Sequence, residues 1–158
     1  MFAGAQLGAY VWVATPENHQ PKAEAVVWAR QRCFETSGRC QITADPREAV
    51  EGADVVYTDV WTSMGQEGES EKREEEFRPY QVNMPLFRRA KRDAIFLHCL
   101  PARRGKEVTN EVIDSPHSLV FQQAENRLHT QKAIMLELMK SEFVKLPTMV
   151  ELRETMHV

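Results

Sequence analysis

Short apolar runs alternate with longer amphipathic stretches along this chain. Residues 10–14 (Tyr-Val-Trp-Val-Ala) are aromatic and β-branched, which predicts a strand. Residues 40–44, 54–61, 94–98 and 118–121 predict four more, each a short apolar run bounded by turn or charged residues. Val55, Val56 and Tyr57 stand in succession, as in a strand buried on both faces of a parallel sheet. Between these runs the period changes to 3.6. Residues 21–36 predict a helix with Ala23, Val26, Val27 and Phe34 on one face. Asp45-Pro46 predicts an N-cap and first turn for a short helix ending at Val50. Short helices are expected after Pro85 and after Val108. Residues 123–144 predict a long helix with Ala124, Leu128, Met135, Leu138 and Met139 in one stripe. The chain opens on residues 2–8, which read as the last turns of a helix stopped by Gly8.

Strands alternating with helices, without hairpin signals, predict an α/β domain. The expectation is three Rossmann-like layers: a parallel sheet of about five strands with helices on both faces. In such a sheet all strand C-termini lie along one edge, where ligands bind. Two strand ends carry polar residues there. One is Asp59, followed by Ser63 and Met64. The other is His98-Cys99, at the point where Pro101 ends the run Phe96-Leu97-His98. An Asp beside a Cys can accept a proton, orient an amine or tune a thiol. Plain packing and turn capping are the competing roles for these residue types. His98 and Cys99 cannot form a nucleophile–base dyad, because adjacent strand residues face opposite ways. Glu125-Asn126-Arg127-Leu128-His129 opens the long helix, and Arg127 there is placed to meet an anion. The charge run from Glu69 to Glu76 reads as a solvated helix face, with a mobile lid as the sharper alternative.

Composition narrows the classes. A chain of 158 residues with 42% hydrophobic content suits about one domain. A net charge of −3 gives no electrostatic case for nucleic acid or an anionic membrane. No apolar run reaches the ~20 residues of a membrane helix, and the start lacks a basic n-region. Three cysteines, Cys33, Cys40 and Cys99, show no CxxC spacing. They argue against a disulfide framework or a metal site and fit a reducing cytoplasm. No Gly-x-Gly-x-x-Gly follows a strand, so no dinucleotide cofactor is expected.

Six stretches carry a resemblance. They are Ala14-Thr-Pro-Glu17, Ala53-Asp-Val-Val-Tyr-Thr-Asp-Val-Trp61, Ser63-Met-Gly-Gln-Glu67, Tyr80-Gln-Val-Asn83, Phe96-Leu-His-Cys-Leu-Pro-Ala102 and Ala124-Glu-Asn-Arg-Leu-His129. In this order the chain resembles the ornithine-binding half of the ornithine carbamoyltransferases, within the aspartate/ornithine carbamoyltransferase family. The resemblance implies an ornithine-binding domain over residues 1–146 and a C-terminal tail over 147–158. It implies transfer of the carbamoyl group of carbamoyl phosphate to L-ornithine, giving L-citrulline and phosphate, with no cofactor. Asp59 is implied to hold the α-amino end of ornithine, with Ser63 and Met64 beside it. Asp59 and Cys99 are implied to handle the attacking δ-amine. The Leu100 carbonyl is implied to contact the carbamoyl amide, and Cys99, Leu100 and Arg127 to make up the carbamoyl phosphate contacts in this half.

The family's N-terminal motifs for carbamoyl phosphate, Ser-x-Arg-Thr-Arg and His-Pro-x-Gln, do not occur here. Nor does the first strand of the ornithine domain. The expectation is therefore a half-site, inactive by itself and completed by an N-terminal domain. The alternatives are a non-catalytic amino-acid-binding remnant and a truncated product whose exposed interface drives self-association.

Overall fold

The structure, a computed structural model, describes residues 1–62 and 70–140. Ser63, Met64 and the tail over 147–158 lie outside the described residues, as does the expected domain boundary after residue 146. The chain divides into two compact units, Met1–Gln123 and the part from Ala124 onward.

The first unit opens with helix α1 (Phe2–Gln6), and Gly8 follows with φ of 69°, the left-handed conformation that a glycine adopts at no steric cost. Strand β1 (Tyr10–Ala14) is as expected. Helix α2 (Ala23–Thr36) leads to β2 (Arg39–Thr43), which pairs with β1 in parallel, Tyr10 opposite Arg39. Helix α3 (Pro46–Val50) starts as its sequence predicts, with the Asp45 carboxylate accepting from the Arg47 N–H at 2.8 Å. Strand β3 (Val55–Thr58) pairs in parallel with β4 (Ile95–His98), Val55 opposite Ile95. Between them lie α4 (Ser70–Phe77) and α5 (Met84–Phe87), the latter capped by Asn83, whose side chain accepts from the Leu86 N–H. Helix α6 (Asn110–Ile113) follows β4, and α7 runs Val120–Met139. The charge run after Glu69 is thus helical from Ser70.

Several expectations are corrected. Four strands are described, in two parallel pairs, β1–β2 and β3–β4, so a single sheet of about five is not shown among the described residues. Residues 118–121 are no strand. Ser118 makes a single parallel bridge to Phe96, and the next turn is already α7. The long helix starts at Val120 because Val120 itself is buried in the core beside Phe96. On α2 the buried side is Ala29 and Cys33, while Phe34 is 91% exposed. The small residues let α1 approach closely, with Ala5 buried against them. Of the three apolar residues in β3 only Val56 is buried; Val55 and Tyr57 are 47% and 53% exposed. The stripe on α7 (Leu128, Met135, Leu138, Met139) is exposed among the described residues.

The main core gathers Val56, Phe87, Phe96, Val108, Val112 and Val120. It includes Val56 of β3 and Phe96 of β4, so these two strands are anchored in the larger of the two buried clusters among the described residues.

Candidate functional site at the ends of β3 and β4

Strand β3 runs out one residue before Asp59, and β4 one residue before Cys99. The parallel register sets Thr58 opposite His98, which brings the next residues, Asp59 and Cys99, side by side. The Cys99 thiol donates to Asp59 Oδ1 at 3.0 Å. The same carboxylate oxygen accepts from the Val60 N–H at 2.7 Å. Burial, and then the carboxylate of Asp59, push the Cys99 thiol above its ordinary range. A hydrogen bond with Tyr57 works in the opposite direction on Cys99. Tyr57 is itself pushed up, first by burial and then by its bond to Cys99. The thiol is therefore held protonated near neutral pH. It stands as a hydrogen-bond donor to Asp59.

The turn that carries Cys99 is built from below. His98 is fully buried, and its Nδ1 accepts from the Leu100 N–H at 2.8 Å. With Nδ1 accepting, the proton sits on Nε2 and is donated to Glu107 Oε1 at 3.2 Å. Glu107 is also fully buried, and Oε1 additionally accepts from the Arg103 N–H. Gln123 Oε1 accepts from the His98 N–H at 3.0 Å. This network fixes Leu100 with φ of 56°, ahead of a cis bond to Pro101. A left-handed conformation costs a residue with a Cβ about 1–2 kcal/mol. The bond from its N–H to His98 holds Leu100 in it. His98 thus faces the core while Cys99 faces Asp59, the opposition expected of adjacent strand residues.

Of the residues read from sequence, Asp59, Cys99 and Leu100 come together. Ser63 and Met64 lie outside the described residues. Arg127 is exposed on α7, in the second unit. Three residues escaped sequence reasoning. Tyr57 carried a signal, since it stands two positions before Asp59 and so on the same face. Glu107 and Gln123 carried none, because their roles depend on a turn and a helix start that only packing fixes. Among the described residues no group of His, Cys, Asp and Glu is arranged to hold a metal ion.

The sequence matches the family described as aspartate/ornithine carbamoyltransferase, Asp/Orn binding domain, over residues 1–138. The chain belongs to this carbamoyltransferase family. It is 58% identical over 135 residues to the ornithine carbamoyltransferase of Thermococcus kodakarensis, covering 85% of this chain and 43% of that one. The solved ornithine carbamoyltransferase of Pyrococcus furiosus superposes with a TM-score of 0.80 at 56% identity, over 84% of this chain and 42% of the other. The anabolic ornithine carbamoyltransferase of Campylobacter jejuni gives 0.81 at 36% identity, over 85% and 45%. The α/β, Rossmann-like fold is shared with these carbamoyltransferases. The chain spans under half the length of these relatives, and what it matches is their amino-acid-binding domain.

Proposed function

We propose that this chain is the ornithine-binding half of an ornithine carbamoyltransferase, and that carbamoyl phosphate is the second substrate. The observation that carries the reading is the contact between Cys99 Sγ and Asp59 Oδ1 at the joined ends of β3 and β4. A carboxylate and a protonated thiol at hydrogen-bond distance make an amine-orienting pair. The carboxylate attracts and accepts from an amine, and the thiol fixes which carboxylate oxygen is free. Asp59 then holds the amino groups of ornithine, with Ser63 and Met64 supplying further contacts. The neutral δ-amine attacks the carbamoyl carbon, a C–N bond forms, and the bond from that carbon to the phosphate oxygen breaks. Cys99 orients the amine and Asp59 receives its proton. The Leu100 carbonyl contacts the carbamoyl amide, which is why its unusual backbone is held so firmly. Arg127 offers its guanidinium to the phosphate oxygens. Most of the phosphate-binding charge comes from a separate N-terminal domain, so the chain binds ornithine without turning it over.

The four strands belong, in this reading, to one parallel sheet of about five, with helices on both faces. The chain works in the cytoplasm, in keeping with three free cysteines. No described helix is long and apolar enough to cross a membrane.

Calorimetric titration with L-ornithine tests the binding claim, and citrulline formation at saturating substrates tests the half-site claim, with Cys99→Ala as blank. Ornithine binding that Asp59→Ala abolishes, without citrulline formation by the chain alone, is the expected result. A folded chain that takes up no ornithine overturns the reading.

A further inference from the structure

We infer that Gln81 is a positioning residue for the turn of Cys99 and Leu100, acting through residues 103–107 and the buried pair of Glu107 and His98. Its part in the reaction rests on the function proposed above, whereas its part in the turn holds whichever amino acid the site accepts. Gln81 belongs to Tyr80-Gln-Val-Asn83, a stretch that carries the family resemblance and that the site itself leaves unused. The side-chain amide of Gln81 donates to the Gly105 carbonyl at 2.9 Å and to the Lys106 carbonyl at 2.7 Å. The next residue, Val82, donates its N–H to the Glu107 carbonyl at 2.9 Å. Three consecutive carbonyls are thus gripped from two consecutive residues. Gln81 is itself fixed. Its N–H donates to the Arg78 carbonyl at 3.2 Å, and its carbonyl accepts from the Asn83 N–H at 3.0 Å.

The grip on residues 105–107 decides where the Glu107 side chain enters the core. Glu107 and His98 are both fully buried, so neither can replace a lost partner with water. Glu107 Oε1 accepts from His98 Nε2, and His98 Nδ1 accepts from the Leu100 N–H. The path from the Gln81 amide to the Leu100 N–H is therefore unbroken, and Cys99 lies between its last two residues. A carboxamide suits the first place, because its single nitrogen carries two hydrogens and both find a carbonyl. Without them the Glu107 carboxylate shifts under His98, and the left-handed Leu100 loses the bond that holds it. Cys99 then turns from Asp59, which its thiol meets at 3.0 Å in the intact chain. The ion pair of Lys106 with Glu74 also ties this loop, but through a part-exposed side chain and not through its carbonyls.

The test compares the full chain with Gln81→Met, which keeps the length of the side chain and removes its donors. Each is alkylated with iodoacetamide at pH 8, and the three cysteine peptides are read by mass spectrometry. Cys33 and Cys40 are buried in the other cluster, so they report any general loosening of the fold. The expected result is selective: Cys99 reacts about threefold faster or more, while Cys33 and Cys40 keep the parent's rates. Gln81→Asn, with the same donors on a shorter arm, is the second variant and is expected to move Cys99 in the same direction if Gln81→Met does not fold. Equal acceleration of all three cysteines overturns the proposal, because the loss is then one of stability alone. A Cys99 rate that is unchanged or slower in a folded variant overturns it too. Calorimetric titration of the parent chain with L-ornithine is kept separate. A parent that takes up no ornithine overturns the functional reading, and the alkylation rates still decide the role of Gln81.

Discussion

The thiol of Cys99 and the carboxylate of Asp59 meet at 3.0 Å although the two residues are 40 positions apart. Neither is drawn there by its own preference. Each is the first residue beyond a strand, and the parallel register of β3 and β4 sets the two ends level.

The first prediction concerns that pair. The carboxylate raises the thiol pKa, so Asp59→Asn should lower it and increase the thiolate fraction. Alkylation of Cys99 by iodoacetamide at pH 8, read by mass spectrometry of its peptide, should become about threefold faster or more. The raised pKa also means that the folded chain keeps a proton which the unfolded chain releases as pH climbs through the ordinary thiol range. Its contribution to stability is full below that range and is lost above it. An alkylation rate unchanged by Asp59→Asn would sink the assignment of Asp59 as the second cause.

The second concerns the buried pair beneath the site. Glu107→Leu leaves the Nε2–H of His98 and the N–H of Arg103 without their acceptor. The expected cost is about 1–3 kcal/mol in urea unfolding. Glu107→Gln, which keeps an acceptor oxygen, should lose less. Equal losses for both variants would show that the carboxylate acts by its charge and not by accepting these bonds.

The third concerns the core that holds the strand ends. Phe96 is fully buried and packs edge-on against Phe87 at 6.4 Å between centroids. Phe96→Ala should cost about 3–5 kcal/mol, a large part of the stability of a domain this size. Thermal unfolding checks it, and a melting point close to that of the parent chain would contradict this account of the core.

The fourth is local. Asp45→Ala removes the side-chain acceptor at the start of α3, for an expected loss of about 1 kcal/mol. Asp45→Asn, which still accepts, should stay within a few tenths of the parent. Chemical unfolding midpoints decide between the two.

Much of this was legible in the sequence. Periodicity and turn chemistry located β1, α3, β4 and the strand ends that carry Asp59 and Cys99, because these signals are local: a β-branched run, an Asp before a Pro, a Pro that ends a strand. The match of motifs in order placed the family as well. Which face of an element is buried proved less legible. On α2 the large apolar residues Val27 and Phe34 suggested the core side, yet the close approach of α1 selects Ala29 and Cys33.

By itself, then, the sequence determined the alternation of strands and helices, the family, and the two strand ends that carry Asp59 and Cys99. Tertiary structure alone decided that residues 118–121 leave the sheet for a helix, since a four-residue apolar run suits either until Val120 is packed against Phe96. It alone set the tautomer of His98, through the acceptor it needs to be for Leu100 and the donor it needs to be for Glu107. And it alone set which strands pair among the described residues, β1 with β2 and β3 with β4. Propensity tells a residue to be a strand, but only the arrangement of distant segments supplies the partner for each N–H and C=O.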